Sequence, residues 1–197
     1  MAVMTMNNAG RFSDAVAWAA EVHGDQLRKG THIPYLSHLL AVSSLVLEAG
    51  GSEEDAIAAL LHDAIEDTDA TAADIEERFG PRVAAIVVAC SDTTESPKPP
   101  WRERKEAYQA HLADPATPTE VLRVSAADKL HNARSILSDY RDIGDELWTR
   151  FNAGVDGQLW NYGCLADILG RRLPGPLTDE LARTVSALRS EVAAAAG

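Results

Sequence analysis

Between Ala56 and Leu61 the chain reads Ala-Ile-Ala-Ala-Leu-Leu, apolar in every direction a helix can face, and it then runs straight into His62-Asp63-Ala64-Ile65-Glu66-Asp67. A helix that is apolar all round has to be enclosed by other elements. The acids that follow it begin where a core ends, and carboxylates in that position need a cation. At about 3.6 residues per turn, His62 stacks on Glu66 and Asp63 on Asp67, with Ile57, Leu61 and Ile65 on the opposite side. On an arbitrary helix such an acidic stripe would be a solvated face, and the buried run before it argues against that reading here.

The rest of the chain supplies helices to enclose it. Helical periodicity, bounded by Gly and Pro, predicts helices at 11–23, 35–49, 53–66, 71–79, 81–91, 101–113, 118–138, 145–170 and 178–195. Ser52 with Asp55 forms a capping pair for the third of these. No segment sustains the alternation of a strand, so the expected fold is all-α. A length of 197 residues suits one domain, 1–197, with a motif-bearing core at about 11–170 and a C-terminal helix at about 178–195. With 46% hydrophobic and 24% charged residues, the chain can bury a core and is neither disordered nor fibrous. Asp92 to Pro100, rich in turn formers, is expected to be an exposed loop.

Charge narrows the partners. Eighteen Lys and Arg against 30 Asp and Glu give a formal net charge of −12, which argues against a nucleic-acid surface. An anionic ligand has to be met by a local basic cluster. One lies after the first helix, in His23-Gly24-Asp25-Gln26-Leu27-Arg28-Lys29-Gly30. The planar fork of Arg28 and the point charge of Lys29 suit a polyphosphate, although a solvated cationic helix end fits the same residues equally well. Cys90 and Cys164 form no metal or disulfide spacing, the first ten residues lack the character of a leader, and no apolar run is long enough to span a membrane. The expectation is a soluble, cytoplasmic protein that binds neither membrane nor nucleic acid.

Two further polar groups interrupt apolar faces. Asp128 continues the core-directed stripe of Val121 and Val124, flanked by His131 and Asn132, and His38 lies in the first turns of the apolar helix that follows Pro34. Read singly, Asp128 fits a helix-capping or Arg-paired acid, and His38 fits a core histidine hydrogen-bonded through one ring nitrogen. Taken together, His38, His62, Asp63 and Asp128 offer two imidazoles and two carboxylates without thiolate, a set suited to Mn, Fe or Zn.

The paired His62-Asp63 with distant His38 and Asp128 resembles the metal-dependent HD phosphohydrolase superfamily. His23-x-x-Gln26-x-Arg28-Lys29, Pro34-Tyr35-x-x-His38, Leu60-Leu61-His62-Asp63-x-x-Glu66-Asp67-Thr68, Phe79-Gly80 and Ala127-Asp128-Lys129-Leu130-His131-Asn132 are similar to the hydrolase domain of the RelA/SpoT family, notably its short stand-alone forms. The likeness covers about residues 12–140.

The resemblance implies a helical domain holding one Mn²⁺, with Fe or Zn as other fits, that removes the 3′-pyrophosphate of ppGpp and pppGpp to give GDP or GTP. It puts the metal ligands on His38, His62, Asp63 and Asp128 and the catalytic acids on Glu66 and Asp67. Substrate contacts fall on Arg28, Lys29 and Asn132, and, where the spacing shifts, on Lys98 and Tyr162. The chain has no room for the family's nucleotide-transfer domain, so synthesis of the alarmone is not expected. Rival readings are an HD phosphatase of another nucleotide, such as the 2′-phosphate of NADPH, and a nucleotide-sensing helical module without turnover.

Overall fold

Ser52 and Thr71 each accept a hydrogen bond from the backbone three residues on, while Asp55 and Asp74 return the bond to the cap residue, so two helices start on complete capping boxes. Pro81 and Pro176 stand in the first turn of two others, where a missing N–H costs nothing. The computed structural model describes residues 9–93, 97 and 99–195. Among them the elements are α1 (Ala9–His23), α2 (Leu36–Glu48), α3 (Glu53–Leu61), α4 (Ala64–Asp67), α5 (Ala72–Phe79), α6 (Pro81–Cys90), α7 (Trp101–Ala113), α8 (Thr119–Ile143), α9 (Gly154–Arg172) and α10 (Pro176–Ala195). A 3₁₀ segment, Gly144–Arg150, follows α8. The described residues hold no strand beyond an isolated bridge between Leu27 and Pro34, and the chain is all-α. None of these helices is long and apolar enough to cross a membrane.

The chain divides into two compact units, Met1–Lys98 and Pro99–Gly197. In the first, α3 lies against α1, α2 and α6, and every residue from Ala56 to Leu61 is sealed from solvent. Arg82 reaches from α6 to Asp55 at 2.9 Å and to Glu54 at 3.2 Å, tying the acidic start of α3 to its neighbour. In the second unit, α8 lies against α9 and α10, and the buried Tyr108 hydroxyl of α7 meets Ser125 of α8 at 2.7 Å. The Arg172 guanidinium collects the carbonyls of Leu112, Asp114, Pro115 and Thr117, closing the turn between α7 and α8.

Two expected helices are broken. The one expected over 53–66 stops at Leu61, and after a turn at His62 and Asp63 it resumes as the single-turn α4. The His62 Nδ1 lies 2.8 Å from the Ala59 carbonyl, the acceptor that a continuing helix would give to the Asp63 N–H. His62 and Asp63 therefore do not share one unbroken stripe with Glu66 and Asp67. The helix expected over 145–170 is also split: its first residues belong to the 3₁₀ segment ending at Arg150, and α9 starts only at Gly154. α8 runs on to Ile143, with its last turn held by Arg141 on Glu191 at 2.6 Å, and Gly144 at φ +58° ends it. Of the expected Asp92–Pro100 loop, residues 94–96 and 98 lie outside the described residues.

Ile57→Ala, a large-to-small change in the sealed stretch of α3, is expected to cost about 2–5 kcal/mol of stability. Urea denaturation measures it, and a change under about 0.5 kcal/mol, the size typical of a surface position, would contradict the enclosed α3.

Candidate functional site

In the first unit, α2 carries His38, the end of α3 carries His62, and the turn between α3 and α4 carries Asp63. His38 and His62 are 0% and 4% exposed, and their rings meet edge to face with centroids 5.2 Å apart. The Nε2 atoms of both rings face one carboxylate oxygen, Asp63 Oδ2, at 3.0 Å from His62 and 3.8 Å from His38. A carbonyl can only accept, so the His62 Nδ1 beside Ala59 O carries the hydrogen. In a neutral ring this leaves a lone pair on Nε2 opposite a carboxylate. Such groups repel unless a cation stands between them, and a carbonyl behind the ring is the usual device that orients a metal-ligating histidine. The residues therefore fit a divalent ion.

Tyr35, in the turn before α2, donates its hydroxyl hydrogen to Asp63 Oδ2. Its ring stacks on His23 at 5.3 Å and leans on His38 at 5.3 Å. The Arg28 guanidinium lies 6.0 Å from the centroid of the same ring, which brings that cation to the histidine cluster. Arg28 and Lys29 sit in a turn closed by Arg28 N–H on the Ile33 carbonyl at 2.8 Å and Tyr35 N–H on the Gln26 carbonyl at 2.8 Å.

The two acids of α4 meet different surroundings. Glu66 Oε1 accepts from the Asp92 N–H at 2.7 Å. Burial pushes the Glu66 carboxyl up to about 7, helped by the nearby Asp92 and Asp63 carboxylates. Asp67 is exposed and accepts from Gln26 Nε2 at 3.3 Å.

The second unit holds its own carboxylate. Asp128, 5% exposed on α8, accepts from Asn132 Nδ2 through one oxygen and from Lys129 Nζ through the other. The Lys129 ammonium lies 5.4 Å from the Tyr108 ring centroid. Burial alone would lower the pKa of Lys129, but Asp128, with Tyr108 and the buried Tyr162 of α9, holds it well above its ordinary value. A carboxylate has about four lone-pair sites, so two donors leave Asp128 able to serve as a ligand. Asp128 offers a buried carboxylate oxygen in the second unit, as His38 and His62 offer buried ring nitrogens in the first.

Of the residues expected from sequence, the first unit brings together His38, His62 and Asp63, with Arg28 reaching them through Tyr35. Glu66 and Asp67 follow on α4, and Lys29 stands exposed in the turn. In the second unit Asn132 bonds Asp128, and Tyr162 bears on it through Lys129. Lys98 lies outside the described residues. Sequence reasoning gave no role to Tyr35, Gln26, Asp92 or Lys129. Tyr35 stands three residues before His38, a spacing that would have placed it on the same face. For Asp92, far along the chain from Glu66, no sequence signal exists.

The HD domain family model matches residues 15–157. The chain is 38% identical over 130 residues to a guanosine-3′,5′-bis(diphosphate) 3′-pyrophosphohydrolase of Aquifex aeolicus, a match that takes in 66% of this chain and 18% of that protein. It is 37% identical over 133 residues to the corresponding hydrolase MESH1 of Xenopus tropicalis, covering 66% of this chain and 72% of that one. Among solved structures, a metazoan ortholog of SpoT that hydrolyzes ppGpp superposes with a TM-score of 0.72 at 25% identity, over 95% of this chain and 98% of that chain. The lmo0812 protein of Listeria monocytogenes gives a TM-score of 0.68 at 34% identity, over 80% and 99% of the two chains.

The raised Glu66 carboxyl predicts a pH-dependent stability in chelator-treated protein. Below pH 4.5 the group is protonated in both folded and unfolded chains and carries no penalty. Stability falls as pH rises from 4.5 towards 7, where only the unfolded chain has released the proton, and the cost is complete above 7. Glu66→Gln removes this slope, so its Tm is expected to exceed the parent's at about pH 8 but not at about pH 4. A Tm difference that is the same at both pH values would contradict the shift.

Proposed function

The chain belongs to the HD domain family, and from that premise we propose that it is a metal-dependent hydrolase removing the 3′-pyrophosphate of ppGpp and pppGpp to leave GDP or GTP. The observation that carries the reading is the convergence of two buried histidine nitrogens on Asp63, one helical turn ahead of a carboxyl raised to about 7. The chain spans 18% of the Aquifex relative and 72% of the frog one, and the activity in both their names is one that these residues can serve. The family match runs from 15 to 157 and so draws on both units, which supports reading 1–197 as one functional domain.

His38, His62, Asp63 and Asp128 would hold one divalent ion, which we read as Mn²⁺, with Fe or Zn as other fits to the same donors. When bound, the ion supplies Lewis acidity that brings a water nucleophile within reach of neutral pH. Glu66, its carboxyl poised near 7, takes the water proton as the oxygen adds to phosphorus. The bond from that phosphorus to the ribose 3′-oxygen breaks, and Glu66 with Asp67 returns the proton to the leaving oxygen. Arg28 and Lys29 neutralise the charge of the pyrophosphate. Asn132 and Tyr162 are read as substrate contacts in the second unit, and Lys98 as one from the loop. A net charge of −12 supports a small nucleotide rather than nucleic acid as partner, and two cysteines, Cys90 and Cys164, without metal or disulfide spacing support a cytoplasmic setting.

Turnover of a nucleotide panel, ppGpp and NADPH included, with Mn²⁺ and with chelator, tests the reading. GDP and pyrophosphate are expected from ppGpp only when the metal is present. Release of phosphate from NADPH alone would favour the other phosphatase, and binding without turnover would favour a sensor.

His62→Ala and Asp63→Ala are each expected to lose the ion, measured as metal content after dialysis, since a vacated ligand leaves the remaining charge unbalanced. Retention of stoichiometric metal by both variants would remove them from the ligand set. Arg28→Ala and Lys29→Ala should keep the metal, while kcat/KM for ppGpp falls about 10- to 100-fold for each. A solvated turn predicts almost no change.

A further inference from the structure

Gln26 and His23 belong to the motif that carries Arg28 and Lys29, yet the reaction described above gives neither of them a task. The Gln26 side chain forms a bridge: its Nε2 donates to Asp67 Oδ2 at 3.3 Å, and its Oε1 lies 2.7 Å from His23 Nδ1. A carboxylate only accepts, so the amide nitrogen faces Asp67 and the amide oxygen is left for His23, whose Nδ1 therefore carries the hydrogen. The anchor is rigid. His23 is 5% exposed and stacks on Tyr35 with an angle of 27° between the rings. The backbone reinforces it, with Gln26 N–H on the His23 carbonyl at 2.9 Å and Tyr35 N–H on the Gln26 carbonyl at 2.8 Å.

Asp63, Glu66 and Asp67 thus each meet a different donor. Tyr35 serves Asp63, the Asp92 N–H serves Glu66, and Gln26 serves Asp67. Asp67 is the exposed member, at the end of a four-residue helix. An exposed aspartate ordinarily exchanges between rotamers, and a fixed donor restricts that exchange.

We propose that Gln26 is a positioning residue: anchored by buried His23, it holds the Asp67 carboxylate in one orientation for proton transfer, from the same turn that presents Arg28 and Lys29 to phosphate. The inference rests on reading Asp67 as the partner of Glu66 in the hydrolysis.

Gln26→Met keeps the length of the side chain and removes both polar atoms. Its kcat for ppGpp is expected to fall about tenfold, with metal content and KM unchanged, because a lost hydrogen bond to a charged group disturbs the acid and not the phosphate grip. Gln26→Glu keeps an acceptor for His23 but sets a second carboxylate against Asp67, so kcat should fall at least as far. In an Asp67→Asn background, Gln26→Met should change the residual kcat less than twofold, since residues acting as one unit are not additive. A risen KM with kcat retained would assign Gln26 to the shape of the turn and overturn the proposal, as would full multiplication of the two effects.

The Gln26 side-chain amide resonances in ¹⁵N spectra read the contact without turnover, and they are expected to move on Asp67→Asn. An unmoved amide overturns the contact while leaving the hydrolase reading intact. No turnover of ppGpp by the unsubstituted protein overturns the hydrolase reading and, with it, the catalytic task given to Gln26.

Discussion

A helix without a solvent face has nowhere to finish. The last carbonyls of α3 lie within the first unit, beyond the reach of the water that would serve them at a surface. His62 answers this locally, with its ring on the Ala59 carbonyl. That one bond fixes the tautomer of His62 and presents Nε2 to Asp63. It also coincides with the end of α3, so that Glu66 and Asp67 rise from a separate turn. Burial of the apolar run therefore comes first, and the geometry of the histidine and the acids follows from it.

The candidate site carboxylates of the two units meet different donors. In the first, Asp63, Glu66 and Asp67 receive a hydroxyl, a backbone amide and a side-chain amide. Each of these donors is neutral and directs the carboxylate it meets. In the second unit Asp128 meets a full cation, Lys129, beside Asn132. The cations assigned to phosphate belong to the first unit, in the turn between α1 and α2. An acidic protein can thus meet an anion through a local cluster without altering its overall charge.

Asp92 shows how a distant residue tunes the site. Its N–H bond favours the ionised form of Glu66, while burial and its own carboxylate favour the protonated form and prevail. The carboxyl near 7 is a balance among these opposed effects, set by the end of α6 and the segment that follows it.

Much of this was legible in the sequence. Periodicity and punctuation fix an all-α chain and most helix limits, because a helix buries one face at a fixed spacing and Gly and Pro interrupt it for local steric reasons. His38, His62, Asp63 and Asp128 stood out because polar groups on apolar faces need a chemical reason. The breaks at His62 and after Arg150 were not legible, since periodicity records which face is buried and not where a side chain takes a backbone acceptor or a 3₁₀ turn replaces the helix. Nor were the partners of the acids. Tyr35 and Gln26 lie within the quoted motifs, yet only the fold brings the turn that bears them against Asp63 and Asp67, and only the fold carries Asp92 to Glu66. Local spacing is a property of the chain, so the sequence by itself determined the helices and the residue types of the site. The donor each carboxylate receives depends on segments far apart in sequence meeting in space, and that the tertiary structure alone decided.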